Sequence, residues 1–261
     1  MDLKPLHKQE NKLTFVIKDS DHVFVNTLRR VILSELPTMA VKKVNFVKNG
    51  SALFDEILAH RLGLLPLFTD LESYNMQNEC TCKDAGCAKC QATLTLKAEG
   101  PITVYASDIK YSDPKVKPIY GKMPIVKLLK GQELEFEAAV GLGIGKDHAK
   151  FSPGHVYYKG YPKITIDKVK NPEEVVKSCP VDVYELQGKQ VKIKNLEACH
   201  LCMACVDAAD PHDGITVEGS EKDFIFTVES WGKLSCEEIL SRALDIMDKK
   251  VDEFSALLSK A

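Results

Sequence analysis

Cys199, Cys202 and Cys205 stand in a C-x2-C-x2-C run, and a Cys179-Pro180 pair lies twenty residues before its first member. Thiolates are soft ligands, and two-residue gaps let consecutive ones reach three corners of one iron–sulfur cubane, with Cys179 at the fourth. The proline after Cys179 ends the local helix and sends the chain away. Stepping back from Cys179 by the spacings of a second run lands on Val175, Pro172 and Val169, and the fourth position after Cys205 is Ala209. These residues therefore provide for one cluster and not two. Four thiolates favour 4Fe–4S, but 3Fe–4S needs only three, so nuclearity stays open. A four-thiolate zinc site or ordinary buried thiols are the alternatives, although zinc usually takes two CxxC knuckles rather than three evenly spaced cysteines.

Cys80, Cys82, Cys87 and Cys90 form a second quartet, C-x-C-x4-C-x2-C, in a loop with Asp84, Gly86 and Lys89. Two close pairs of thiolates suit one tetrahedral zinc ion, which would staple a loop lacking apolar residues of its own. An unoccupied or redox-active loop is the other reading. Cys236 stands alone and reads as a packed residue. His200 falls inside the cluster loop, but its neighbours already supply thiolates, so hydrogen bonding is expected of it. Gly141 to Lys146 imitates a phosphate loop without the G-x4-G-K-S/T spacing, and a flexible turn is expected there. The sequence contains neither G-x-S-x-G nor H-E-x-x-H, and no aspartate triad for phosphoryl transfer is recognisable, so no catalytic centre is expected on this chain.

The elements that must position these residues sit in a chain of 261 residues, long enough for two domains and a sizeable core. Its 35 Lys+Arg and 37 Asp+Glu nearly cancel. The arginines are Arg29, Arg30, Arg61 and Arg242. So few bidentate forks and no basic field predict no direct sequence-specific contact with nucleic acid. No apolar run approaches the roughly 18 residues a membrane helix needs, so no membrane is expected. Residues 1–9 hold no apolar signal core, and with CxxC spacings this predicts a cytoplasmic chain whose nine cysteines ligate rather than form disulfides.

Residues 13–17 read as a strand, and Asp19, Ser20 and Asp21 offer caps for a helix over 22–36, stopped by Pro37. Its apolar stripe is Phe24, Leu28, Val31, Ile32 and Leu36. Beta patterns cover 39–47, 92–96, 102–105, 134–140 and 155–166, with a short helix over 54–62 and a loop over 108–124. Asn171-Pro172 opens a short helix into Cys179. A hairpin turning at Gln187-Gly188, a short helix near 203–209 and a strand at 214–218 follow. This order resembles a ferredoxin, in which a cysteine loop feeds each short helix. A strand at 224–228 precedes a capping box, Ser235 and Glu238, for a helix to about 258. Along it Leu240, Leu244, Met247, Val251, Phe254 and Leu258 step by four, three, four, three and four, an a/d heptad seam. The seam packs on its own domain's sheet or faces a partner; the pattern alone leaves both open.

Two further segments carry a family resemblance. Residues 22–37, with Asn26, Leu28, Arg29, Arg30, Ser34 and Pro37, match N-x-L-R-R-x-x-x-S-x-x-P, which resembles the signature helix of alpha-type RNA polymerase subunits. Residues 54–67, with Glu56, Arg61, Leu62, Gly63, Leu64, Leu65 and Pro66, resemble the same family's second block. With the ferredoxin-like insert, the whole chain is similar to the archaeal D-type members of that family. The resemblance implies an α+β fold in three parts. A discontinuous dimerisation domain takes residues 1–38 and 222–261. An inserted mainly-β domain takes 39–167 and holds the cysteine loop 80–90, which is similar to a zinc loop of the eukaryotic counterpart. A ferredoxin-like α+β domain takes 168–221.

The function the resemblance implies is assembly: heterodimerisation with the small subunit L, contact with subunits N and P, and a platform for the two large catalytic subunits. Arg29, Arg30 and Arg61 are then expected at a subunit interface, although a salt bridge on a solvated helix face would also suit the first two. The runner-up is a ferredoxin-like electron-transfer protein, in which the arginine block and the heptad helix have no role. A dimeric scaffold outside transcription is a third reading.

Overall fold

The computed structural model describes residues 1–83 and 85–260 and, of Asp213, the backbone alone; Asp84 of the cysteine loop lies outside the described residues. Two compact units divide them, residues 1–27 with 157–227, and residues 28–156 with 228 onward.

The first unit is built on a four-stranded sheet. Strands β1 (Asp2–Gln9) and β2 (Lys12–Lys18) pair antiparallel, and the sheet continues through β12 (Ile215–Ser230) to β9 (Gly154–Ile166) in the order β1-β2-β12-β9. Phe15 of β2 packs on Phe226 of β12 at 5.5 Å between ring centroids, and Tyr158 of β9 meets Phe224 edge-on at 5.8 Å. The sequence pattern does not mark β1, because its side chains are mostly exposed and polar, with Leu3 itself 58% exposed; main-chain pairing with β2 makes it a strand. The pattern predicts two strands at 214–218 and 224–228. The structure has one, β12, because Gly219-Ser220-Glu221-Lys222-Asp223 keeps the extended ladder rather than turning.

A small lobe completes this unit: α3 (Pro172–Ser178), the hairpin β10 (Tyr184–Gln187) and β11 (Gln190–Ile193), and α4 (Ala204–Ala208). Gly188, at φ 64°, makes the tight hairpin turn that its position predicts. Val175, Val183, Tyr184, Val191, Ile215 and Val217 form the lobe's apolar cluster, and Cys199 and Cys205 belong to it.

The second unit centres on a sheet of order β3-β8-β4-β6: β3 (Thr38–Asn49), β8 (Glu133–Gly143), β4 (Gln91–Glu99) and β6 (Lys110–Tyr111). Strand β4 buries Ala92, Leu94 and Leu96 on alternate positions, the period-two pattern of a half-buried strand. Helix α2 (Asp55–Gly63) covers this core with Leu58 and Leu62. A smaller ladder pairs β5 (Ile102–Tyr105) with β7 (Pro124–Leu128), a strand hidden behind Pro124 in the sequence.

Gly141 and Gly143, expected in a flexible turn, lie in β8 instead, where small residues admit close neighbours. A Cβ on Gly143 would stand 2.6 Å from the Phe151 ring. Helix α1 (His22–Ser34) stops two residues before the expected 36, and the Asp21 carboxylate caps it, accepting from the Phe24 N–H at 2.8 Å. Helix α5 (Cys236–Leu258) starts at the expected cap, with Ser235 Oγ accepting from the Glu238 N–H at 3.2 Å.

Candidate metal centres

The loop that enters β4 brings Cys80, Cys82, Cys87 and Cys90 into one cluster whose sulfurs all lie within 4.8 Å of one another. Cys80–Cys87 and Cys82–Cys90 are both 3.6 Å apart and Cys87–Cys90 is 3.9 Å. Four sulfurs bound at about 2.3 Å to one tetrahedral ion stand about 3.8 Å apart, so the donor set fits a single metal ion. The backbone supports this spacing. Cys90 N–H and Gln91 N–H both donate to the Cys87 carbonyl at 2.9 Å, the Cys87 N–H reaches Cys90 Sγ at 3.3 Å, and Asn75 N–H closes the loop base on the Lys89 carbonyl at 2.8 Å. Gly86 takes φ 82°, which a residue with a Cβ rarely adopts. Among these crowded thiols the Cys82 backbone N–H draws Cys80 down to about 7, while burial pushes Cys90 up to about 12.

Cys179, Cys199, Cys202 and Cys205 line one small hollow in the lobe, together with Val181, Val183, Tyr184 and Met203. Helix α3 delivers Cys179 at its C-terminus; the segment between Leu196 and α4 carries Cys199 and Cys202, and the first turn of α4 carries Cys205. Leu201 and Met203, between those three, both adopt left-handed backbone, at φ 60° and 64°, and this curls the run around the hollow. Tyr184 Oη donates to Cys205 Sγ at 3.1 Å, and the Val183 N–H to Cys179 Sγ at 3.4 Å. Burial pushes the Cys205 thiol up and holds Lys159 below the ordinary lysine range, the latter opposed by Cys199 and Glu197. Cys199 and Cys205 are buried and Cys202 is exposed. Four thiolates around one hollow are a donor set that an iron–sulfur cluster accepts. His200 lines the same hollow and is exposed, while Cys236 is buried and donates to the Val228 carbonyl at 3.6 Å.

The expected interface residues lie apart from both quartets. Arg29 is half-buried and Arg30 exposed on α1. Arg61, on α2, donates from Nε to the Ile125 carbonyl and from a terminal nitrogen to the Pro124 carbonyl, both at 2.8 Å, so its fork holds β7 to the helix. Pattern reading misses this use of Arg61 because β7 itself is hidden. On α5 the buried face is Cys236, Ile239 and Ala243. Leu240 and Met247 are half-buried, whereas Leu244 is 43%, Val251 66%, Phe254 62% and Leu258 61% exposed. Among the described residues the C-terminal half of the seam is the part left exposed. Among the described residues no helix is long and apolar enough to cross a membrane.

The chain is a mixed α+β fold, and its residues 44–157 match the RNA polymerase Rpb3/RpoA insert domain, a domain of alpha-type polymerase subunits. The chain is 41% identical over 261 residues to DNA-directed RNA polymerase subunit Rpo3 of Methanosphaera stadtmanae, covering 97% of this chain and 96% of that one. It is 42% identical over 270 residues to Rpo3 of Thermococcus kodakarensis, covering 100% and 98%, and 36% identical over 261 residues to that of Archaeoglobus fulgidus, covering 99% and 98%. The chain belongs to the Rpo3 family of DNA-directed RNA polymerase subunits. The relatives' names lend nothing to the electron-transfer reading.

Proposed function

We propose that this chain is a non-catalytic assembly subunit of a cytoplasmic DNA-directed RNA polymerase, of the archaeal D type. Residues 1–38 and 222–261 act as its dimerisation domain, 39–167 as the inserted domain and 168–221 as a ferredoxin-like domain. The observation that carries this reading is the α5 seam, where Val251, Phe254 and Leu258 remain more than 60% exposed in a chain alike to Rpo3 over its whole length. Exposed apolar side chains at a/d spacing lose free energy in water and recover it against a second helix. We assign that helix to the small subunit L; subunits N and P and the two large catalytic subunits complete the assembly. Arg29 and Arg30, next to the buried stripe of α1, take the large-subunit side; Arg61 serves it indirectly, through strand β7, which it holds to α2.

In the same reading Cys80, Cys82, Cys87 and Cys90 bind one zinc ion, which closes their loop. Cys179, Cys199, Cys202 and Cys205 bind one iron–sulfur cluster, 4Fe–4S, or 3Fe–4S if one thiolate stays free. The cluster staples a lobe too small to bury a sufficient core by itself.

The test is anaerobic co-expression with L, with iron, sulfide and zinc measured on the purified sample. A 1:1 heterodimer with about four iron, about four sulfide and about one zinc supports every part of the reading. A chain that ignores L removes the assembly role. A heterodimer that Val251→Asp with Phe254→Asp leaves intact removes the seam.

A further inference from the structure

The turn Leu196–Ala198 opens the cysteine run, and its end is held from the neighbouring sheet. Within the turn the Cys199 N–H bonds the Leu196 carbonyl at 3.1 Å, which leaves the carbonyls of Glu197 and Cys199 without partners of their own in the turn. Lys159 of β9 reaches both: its Nζ lies 2.7 Å from the Glu197 oxygen and 2.5 Å from the Cys199 oxygen. Carbonyls at the end of a helical turn carry partial negative charge and favour a cation. The Lys159 side chain is half-buried, and its two bonds go to carbonyls rather than to a carboxylate. The Glu197 carboxylate accepts from the Tyr161 hydroxyl at 3.4 Å and, without a direct bond to the ammonium, offsets only part of the cost of burying it. A desolvated ammonium bonded only to carbonyls is costly unless a negative body stands nearby. Four thiolates around an iron–sulfur core form such a body, net negative in both common oxidation levels.

We propose that Lys159 is a positioning residue for the cluster: it fixes the Cys199 backbone against the sheet and places a positive charge that favours the reduced cluster. The inference rests on the reading that Cys179, Cys199, Cys202 and Cys205 hold an iron–sulfur cluster. Two consequences separate it from ordinary packing. The paired charge-assisted bonds slow opening of the run, so the cluster resists iron loss. The charge stabilises the reduced level, which is one unit more negative, more than the oxidised one, so it raises the midpoint potential. The electron in that step comes from the added reductant and no proton moves.

The experiment uses the full chain, purified anaerobically as the heterodimer, with Lys159→Met, Lys159→Gln, Lys159→Arg and, as a control on the same strand, Lys163→Met. Iron and sulfide per chain, bleaching of the cluster absorbance under an iron chelator, and the midpoint potential in a dithionite titration are read on each. Lys159→Met is expected to bleach roughly 10- to 100-fold faster, the range over which residues supporting a metal ligand act, and to show a lowered potential. Lys159→Arg is expected to restore both readouts, and Lys163→Met to match the parent. Should Lys159→Met not load, Lys159→Gln keeps a donor without the charge: a lowered potential supports the proposal, and an unshifted one overturns it. Parent-like bleaching and potential in Lys159→Met would overturn it outright, as would equal losses in Lys163→Met. A parent protein without iron and sulfide sinks the cluster reading itself, a result distinguishable from all of these.

Discussion

The loop 80–90 and the lobe around Cys199 each gather four cysteines, but by different means. The loop does so locally: its four sulfurs come from eleven consecutive positions and close to 3.6–3.9 Å in three of their pairs. The lobe draws one ligand across a twenty-residue gap, sets the run in left-handed turns and lines a hollow with the sulfurs. In the loop, short spacing and local backbone bonds bring the four sulfurs together. The lobe's hollow is shaped from outside the motif as well, by Lys159 on the Cys199 and Glu197 carbonyls and by Tyr184 on Cys205. The comparison also separates the consequences of loss. The loop borders a sheet core of more than twenty buried residues, whereas the lobe's buried cluster is small and counts Cys199 and Cys205 among its members.

The largest expected effect therefore falls on the lobe. Cys199→Ser should remove most iron, expose residues 168–217 to amide exchange and destabilise that lobe by more than ~4 kcal/mol, the range reached when a metal staple is lost. Hydrogen exchange read by mass spectrometry checks this. Full protection of the lobe without its cluster would break the contrast. Cys87→Ser should act more narrowly: zinc falls from about one per chain towards none, and exchange protection disappears from 76–91 while β3, β8 and β4 keep theirs. Collapse of that sheet would show that the loop is as integral to its unit as the cluster is to its own.

The same division explains what can be read in the chain beforehand. Cysteine spacing, the Ser235 cap and the α5 periodicity are local codes, and the structure reproduces each of these patterns. Strands β1 and β7 are not locally coded. One carries mostly exposed polar residues and the other begins at a proline, so only their partners make them strands. The continuity of β12 is hidden for the same reason: a Gly-Ser pair followed by charges reads as a turn until a four-stranded sheet holds it straight. The glycines of β8 look like a flexible loop because sequence shows what glycine permits and not which neighbour needs the space. Lys159 and Arg61 carry no motif, and their roles follow from carbonyls distant in the chain.

A smaller effect concerns pH at the approach to the cysteine loop. Asp70 accepts from Lys115 Nζ at 2.7 Å, from Ser73 Oγ at 2.8 Å and from two backbone N–H groups, and these bonds, the one from Lys115 foremost, hold its carboxyl well below the usual carboxylate range. A carboxyl whose folded pKa lies below its unfolded one stabilises the fold above the unfolded value and loses that contribution as pH falls through and below it. Asp70→Asn should lower the thermal midpoint modestly at pH 7, and the difference from the parent should begin to shrink as pH falls below about 4 and vanish only below the folded pKa. A gap as large at about pH 2 as at pH 7 would tie Asp70 to packing rather than charge.

The finest test sets one glycine from each region against the other. A Cβ on Gly141 would stand 3.0 Å from the Cys90 carbonyl oxygen, and a Cβ on Gly219 would stand 3.0 Å from Leu201 Cδ1. The distances match, but the neighbours do not. The Cys90 carbonyl belongs to a backbone held by the knuckle and by the ladder of β4 with β8, where Gln91 faces Gly141, so it has little freedom to give. The Leu201 methyl is the free end of a half-buried side chain and can rotate aside. Gly141→Ala should therefore cost about 1–3 kcal/mol, as overpacking does, and loosen zinc. Gly219→Ala should fall within about 1 kcal/mol of the parent, because an alanine also restricts the unfolded chain. Chemical denaturation of the two variants side by side measures this difference. The reverse order would mean that the cysteine run, not the loop, is the stiffer of the two supports, and that Leu201 is pinned in the curl around the hollow.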